Sequence, residues 1–234
     1  MGKLGVIIVA AGKGSRMKTQ QSKQYLQLGS QPILVHTLAL FQNIHEVDEI
    51  VLVVGQEDVE RCQRYVSDYA YTKVTRILTG GAERQDSVRQ GLEALTAGAQ
   101  WVLVHDGVRP FVSKKQVLAC WQAAKEKDAA VLAVPVKDTI KVVDPSGQIQ
   151  STPDRRSLWA IQTPQAFRLS LLREAHERAV AEGFVGTDDA MLVERMGKTV
   201  QVVEGDYYNI KITTPEDMPW AEWILENIRG ERES

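Results

Sequence analysis

The chain has little of what usually gives a class away. Of its 234 residues, two are cysteines. Cys62 and Cys120 stand far apart and form no Cys-x-x-Cys pair, which excludes a disulfide framework. The histidines (His36, His45, His105, His176) are scattered too, so a zinc site is excluded. No apolar run approaches the length of a membrane span. The N-terminal one, Leu4 to Ala11, is too short and ends in a glycine-rich turn rather than a signal-peptide cleavage site. The expected setting is the cytoplasm. Internal repeats and low-complexity linkers are missing. A formal charge of -2 leaves no broad basic surface and so excludes a general nucleic-acid binder. With 44% hydrophobic and 25% charged residues, the composition is that of a folded globular chain.

What is present alternates. Leu4–Val9 is a continuous, β-branched apolar run, and such runs read as strands buried on both faces. Similar runs follow at 49–54, 73–78, 101–104 and 129–136. Between them lie helical stripes: Leu34, Leu38 and Phe41; Val88, Leu92 and Leu95; Val117, Trp121 and Ala124. This predicts one α/β domain over 1–234 with a mostly parallel sheet covered by helices on both faces. The alternation breaks at 138–157. There Thr139–Val143, a turn at Asp144-Pro145-Ser146-Gly147 and a return over 148–152 predict a protruding β-hairpin arm. The pattern leaves open whether the arm faces solvent or a second subunit. Further on, strands are expected over 200–203 and 208–212. Thr214 is expected as the N-cap of a last helix, with Pro215 at its first position.

Three strand ends carry chemistry. Ala10-Ala11-Gly12-Lys13-Gly14-Ser15-Arg16-Met17 follows the first strand. It is neither a Walker loop nor a dinucleotide fingerprint. Small residues still let backbone N–H groups approach an anion, and Arg16 and Lys23 can reach phosphate oxygens. Gly80-Gly81-Ala82-Glu83-Arg84-Gln85-Asp86-Ser87 enters a helix with exposed N–H groups and a hydroxyl. His105-Asp106-Gly107-Val108-Arg109 supplies a carboxylate suited to magnesium; His105 reads as an orienting residue rather than a base. Downstream, Gln162-Thr163-Pro164-Gln165 reads as a polar turn. Asp188 and Asp189 read as helix caps, and Lys211 as a cation in a strand-like run. The set points to phosphoryl or nucleotidyl transfer, where charge stabilisation and positioning dominate.

Charge distribution agrees. Residues 1–45 hold Lys3, Lys13, Arg16, Lys18 and Lys23 and no acid, which makes that segment +5 and the rest -7. The near-neutral total conceals a basic segment centred on the glycine loop.

In order and spacing, these segments, with Pro135–Thr139, Thr187-Asp188-Asp189-Ala190 and Asn209-Ile210-Lys211…Asp217, resemble the 2-C-methyl-D-erythritol 4-phosphate cytidylyltransferase family over essentially the whole chain. The resemblance implies a single Rossmann-like domain, a homodimer, Mg²⁺, and transfer of CMP from CTP to methylerythritol phosphate with release of pyrophosphate. It implies catalytic roles for Arg16, Lys23 and Lys211, and CTP contacts for Ala11, Gly12, Gly14, Gly81 and Ser87. Asp106 would touch metal and sugar alcohol. Arg109, Thr139, Arg155, Thr163 and Thr187 would surround the second substrate, with Thr139 and Arg155 supplied by the partner's arm. The alternatives are a sister enzyme acting on ribitol 5-phosphate and a non-catalytic nucleotide-binding module. No nucleic-acid or membrane partner is expected.

Overall fold

The computed structural model of the chain describes residues 2–12 and 22–228. In chain order the elements are β1 (Lys3–Ala10), the short strands β2 (Gln27–Leu28) and β3 (Gln31–Pro32), α1 (Ile33–Asn43), β4 (Glu49–Val54), α2 (Val59–Asp68), β5 (Val74–Thr79), α3 (Arg84–Ala94), β6 (Ala99–Asp106), α4 (Lys114–Lys127), β7 (Ala129–Pro135), the hairpin strands β8 (Val142–Val143) and β9 (Ile149–Ser151), β10 (Trp159–Arg168), α5 (Leu169–Ala181), α6 (Asp189–Arg195), β11 (Gln201–Glu204) and α7 (Asp217–Asn227). One seven-stranded sheet runs in the order β11-β7-β10-β6-β1-β4-β5. Every strand in it points the same way except β10, which is antiparallel to both neighbours.

The apolar runs are continuous because both faces of the sheet are covered. Successive side chains of a strand point to opposite faces. Val6 and Ile8 of β1 accordingly pack with Leu38 and Phe41 of α1 and Trp121 of α4. Ile7 between them packs with Val88 and Leu92 of α3 and Leu172 of α5. A third cluster joins Leu28, Ile33, Val108, Phe111 and Ile212 to Ile224 of α7. It pins the C-terminal helix against the loop that follows β6. Among the described residues no helix is long and apolar enough to cross a membrane.

Several local expectations change. Gln162-Thr163-Pro164-Gln165 lies inside β10 rather than in a turn. Pro164 cannot donate to the ladder, and the register with β7 breaks between Ile161 and Gln165, which hides the strand's period. Residues 208–212 form no strand. They are held instead by Ile212 N–H donating to the Val108 carbonyl (3.0 Å) and by the side chain of Asn209. Thr214 caps nothing: α7 starts at Asp217, whose Oδ2 accepts from the N–H groups of Thr213 (2.6 Å) and Thr214 (2.8 Å). The arm hairpin is present, with Val142 opposite Ser151 and Val143 opposite Ile149. Asp144 Oδ1 accepts from Ser146 N–H (2.9 Å) and Gln148 N–H (3.0 Å), which shapes its tip.

Candidate active site

From β1 the chain passes to β4 and β5 on one side and later crosses to β6 on the other. Such a switch point leaves a crevice beyond the carboxyl ends of the strands. Here it lies between Ala10 and Asp106. Val9 pairs with Asp106 in the ladder, and Gly107 N–H donates to the Val9 carbonyl at 2.9 Å.

A cavity of about 220 Å³ opens at this point. Ala11, Gly12 and Lys23 form one wall. Buried Gln24, to which the sequence gave no role, fixes that wall by donating from Nε2 to the Ala10 carbonyl at 2.7 Å. A second wall is the Gly80–Gly81 turn leading into α3. A Cβ on Gly80 would lie 2.4 Å from the Ala11 Cβ and 2.6 Å from Ser87 Oγ, so only glycine permits this approach. Ser87 Oγ accepts from Gly81 N–H (3.2 Å) and donates to the Glu83 carbonyl (3.3 Å). The turn thereby aims the amino end of α3, with its partial positive charge, at the cavity.

The third wall is electrostatic. Asp106, only 6% exposed, meets three cations. Arg84 Nε lies 3.3 Å from Oδ1, while Lys211 Nζ lies 2.9 Å and Arg109 Nε 3.5 Å from Oδ2. Burial alone would push this carboxyl up. Arg84, Lys211 and Arg109 outweigh burial and hold it well below the usual carboxylate range.

Behind Asp106 the proton positions follow from the partners. His105 is buried, and burial pushes its imidazole down to about 4, so it is neutral near pH 7. Its Nε2 faces the Arg109 carbonyl at 3.0 Å, which can only accept, so Nε2 carries the proton. Nδ1 then accepts from the Thr163 hydroxyl at 3.1 Å, and Thr163 Oγ1 accepts from Asp106 N–H at 3.0 Å. Asn209 donates to the Gln162 side chain (3.1 Å) and to the Thr163 carbonyl (2.9 Å), while its own carbonyl accepts from Arg109 Nη1 (2.7 Å).

The cavity thus gathers Ala11, Gly12, Lys23, Gly81, Ser87, Asp106 and Lys211, as well as Arg84. Gly14 and Arg16 fall in 13–21, outside the described residues. Arg109 stands beside the cavity through its ion pair with Asp106. Thr163 is 4% exposed and directs its hydroxyl to Asp106 and His105. Thr139 and Arg155 sit on the arm, exposed; Arg155 Nη1 donates to the Lys137 carbonyl at 2.7 Å. Exposed Thr187 borders a separate hollow beside Ile161 and Met191. The capping expectation holds for Asp188, whose Oδ1 accepts from Met191 N–H at 2.9 Å. It fails for Asp189. That carboxylate turns inward, with Oδ2 at 2.7 Å from Arg84 Nη1 and Oδ1 at 3.0 Å from His176 Nε2. Adjacent carboxylates before a helix look alike in sequence; only the fold distinguishes the cap from the buried ion.

The family model for 2-C-methyl-D-erythritol 4-phosphate cytidylyltransferase matches residues 4–227. A protein of that name from Geobacter metallireducens is 51% identical over 94% of this chain and 96% of its own length. Another from Alkaliphilus metalliredigens is 49% identical over 95% of this chain and 93% of its own. Among solved structures, a 4-diphosphocytidyl-2C-methyl-D-erythritol synthase from Anaerococcus prevotii superposes with a TM-score of 0.85 at 36% identity, covering 96% of both chains.

Proposed function

The chain belongs to the 2-C-methyl-D-erythritol 4-phosphate cytidylyltransferase family, and from that premise we propose how its residues divide the work. It transfers CMP from CTP to 2-C-methyl-D-erythritol 4-phosphate. A phosphate oxygen of the alcohol bonds to the α-phosphorus, the bond to the β-phosphate oxygen breaks, and pyrophosphate leaves. The products are 4-diphosphocytidyl-2-C-methyl-D-erythritol and pyrophosphate. A phosphate monoester is mostly dianionic near neutral pH, its second pKa being about 6. The nucleophile therefore needs no general base, in keeping with a neutral, fully buried His105. What the reaction needs is positive charge around a crowded phosphorus.

Lys23 and Lys211 line one cavity with Asp106 and supply that charge, and the ion pair of Lys211 with Asp106 at 2.9 Å inside that cavity is the observation that carries the assignment. Lys23, together with Arg16 of the glycine loop, holds the triphosphate and stabilises the five-coordinate α-phosphorus. Ala11, Gly12, Gly81 and Ser87 line the CTP half, and Gly14 is assigned to CTP by the family resemblance. Lys211, Asp106 and Arg109 face the phospho-alcohol, with Thr163 acting through Asp106 and His105 and with Thr187 at the outer margin. Thr139 and Arg155 come from the arm of a second copy. The arm exposes Ile140, Val142, Val143 and Ile149, an apolar surface that a homodimer would cover.

Magnesium fits this site in one form. Among the described residues no group of three or more His, Cys, Asp or Glu side chains is arranged to hold a metal. Three cations around Asp106 repel a bare divalent ion, whereas the negative charge of a triphosphate reverses that balance. Asp106 would be the protein ligand of a Mg²⁺ carried by the triphosphate, and the ion would supply neutralisation of phosphate charge. The two buried free thiols suit a reducing compartment, which agrees with a cytoplasmic setting.

Pyrophosphate release measured with CTP and Mg²⁺ tests the reading. Methylerythritol phosphate should be strongly preferred over ribitol 5-phosphate. The opposite preference would sink the substrate assignment, and no release with either alcohol would favour a binding module.

A further inference from the structure

Arg84 is held between two buried carboxylates. Its Nε faces Asp106 Oδ1 at 3.3 Å, and its Nη1 faces Asp189 Oδ2 at 2.7 Å. Asp189 is 1% exposed and lines no wall of the nucleotide cavity. Its other oxygen lies 3.0 Å from Nε2 of His176, which is also 1% exposed. The array is anchored on two sides. Gln165 of β10 accepts from Ala190 N–H (3.1 Å) and donates to Asp188 (2.8 Å), tying the start of α6 to the sheet. Gln85 donates to the Phe184 carbonyl (3.0 Å) and accepts from Gly186 N–H (2.9 Å), tying the start of α3 to the loop before α6. Burying this many charges is costly unless each is paired, and a buried ion array contributes geometry more dependably than stability.

We propose that Asp189 and His176 are positioning residues for cytidylyl transfer: through Arg84 they hold Asp106 Oδ1, so that Oδ2 is presented to Lys211 and Arg109. The two oxygens of Asp106 are divided accordingly, Oδ1 to Arg84 and Oδ2 to the other two cations. Without the brace the carboxylate turns, Lys211 can take either oxygen, and the cation that meets the phospho-alcohol loses its fixed place. A planar guanidinium can span two carboxylates, whereas an ammonium can hold only one of them well. The inference rests on the reading that Asp106 and Lys211 face the phospho-alcohol.

The test is steady-state kinetics on the full-length enzyme with both substrates varied. Asp189→Asn, isosteric and away from the cavity, should raise KM for the phospho-alcohol by about tenfold while KM for CTP stays within about twofold. His176→Gln, which keeps a donor toward Asp189, should show only a small part of that rise. In an Asp106→Asn background, Asp189→Asn should add less than about twofold, because its route runs through Asp106. Unchanged KM values with turnover reduced only in proportion to the folded fraction would overturn the proposal. So would equal rises for both substrates, or full additivity in the cycle. If Asp189→Asn does not fold, Arg84→Lys is read the same way, and failure of both to fold assigns the array to stability and overturns the proposal. If Asp106→Asn alone leaves KM for the phospho-alcohol unchanged, the reading of Asp106 fails first, and this inference falls with it.

Discussion

Replacing Thr163 by valine changes almost no volume and removes one hydroxyl. That hydroxyl is the acceptor for Asp106 N–H and the donor to His105 Nδ1. Both partners are buried, at 6% and 0% exposure. His105 cannot compensate by switching tautomer. A proton on Nδ1 would leave a bare Nε2 lone pair against the Arg109 carbonyl, 3.0 Å away. Two buried polar groups are therefore orphaned, at about 1–3 kcal/mol each before relaxation, and the expected loss is about 2–4 kcal/mol. Thr163→Ser is the informative comparison. It keeps the hydroxyl and removes a buried methyl, for a loss of about 1 kcal/mol. Equilibrium urea unfolding of the two variants should rank serine above valine, the reverse of what volume alone predicts. Kinetics should show the same order, with KM for the phospho-alcohol rising in the valine variant because Asp106 and Arg109 lose their shared support. A valine variant as stable as the serine variant would refute the hydrogen-bond assignment.

Other consequences are more quickly stated. Lys23→Ala should raise the barrier by about 2–4 kcal/mol, the scale of a lost preorganised charge; near-normal turnover would remove Lys23 from the triphosphate site. Gly80→Ala places a methyl 2.4 Å from the Ala11 Cβ. It should lower stability by about 1–3 kcal/mol and raise KM for CTP, and isothermal titration with CTP would detect unchanged affinity if the close approach were unimportant. Deleting the arm tip from Asp144 to Gln150 should shift the mass seen by light scattering from dimer to monomer, whereas an unaltered dimer would leave the arm solvent-facing. With its folded pKa pushed down to about 4, His105 should stay neutral in the folded protein at pH 5, where an unfolded histidine is charged. Stability carried by this group is full above about pH 6.5 and is lost as pH falls toward 4. Ring-nitrogen NMR at pH 5 should find the proton on Nε2 alone, and a doubly protonated ring would contradict the assignment.

The sheet was legible because burial on both faces writes itself as unbroken apolar runs: 49–54 is β4 to the residue. The glycine-rich walls of the cavity were legible for a related reason. They consist of short contiguous segments at strand ends, where glycine and small residues are needed by geometry. What escaped was whatever depends on distant partners. β10 was hidden by Pro164 and a register break, so a strand looked like a turn. Asp189 looked like the cap that its neighbour is, because only the fold brings it to Arg84, far away in sequence, and turns it inward. Arg84 stood in a recognised segment without a role, since neither carboxylate it spans is near it in sequence: Asp106 is 22 residues away and Asp189 is 105.

The lone antiparallel strand has a mechanical consequence. β7 ends at Pro135 on the rim that carries the cavity, and β10, running the opposite way, begins at Trp159 on that same rim. The arm is therefore a cantilever whose two roots are both clamped in the sheet, and one root runs within four residues into Thr163 and the back of Asp106. A load on the tip is delivered to Thr163 and the back of Asp106 along a single strand. Tags or insertions at the Asp144–Gly147 bend leave both roots intact, whereas shortening either stem pulls on Thr163 and Asp106.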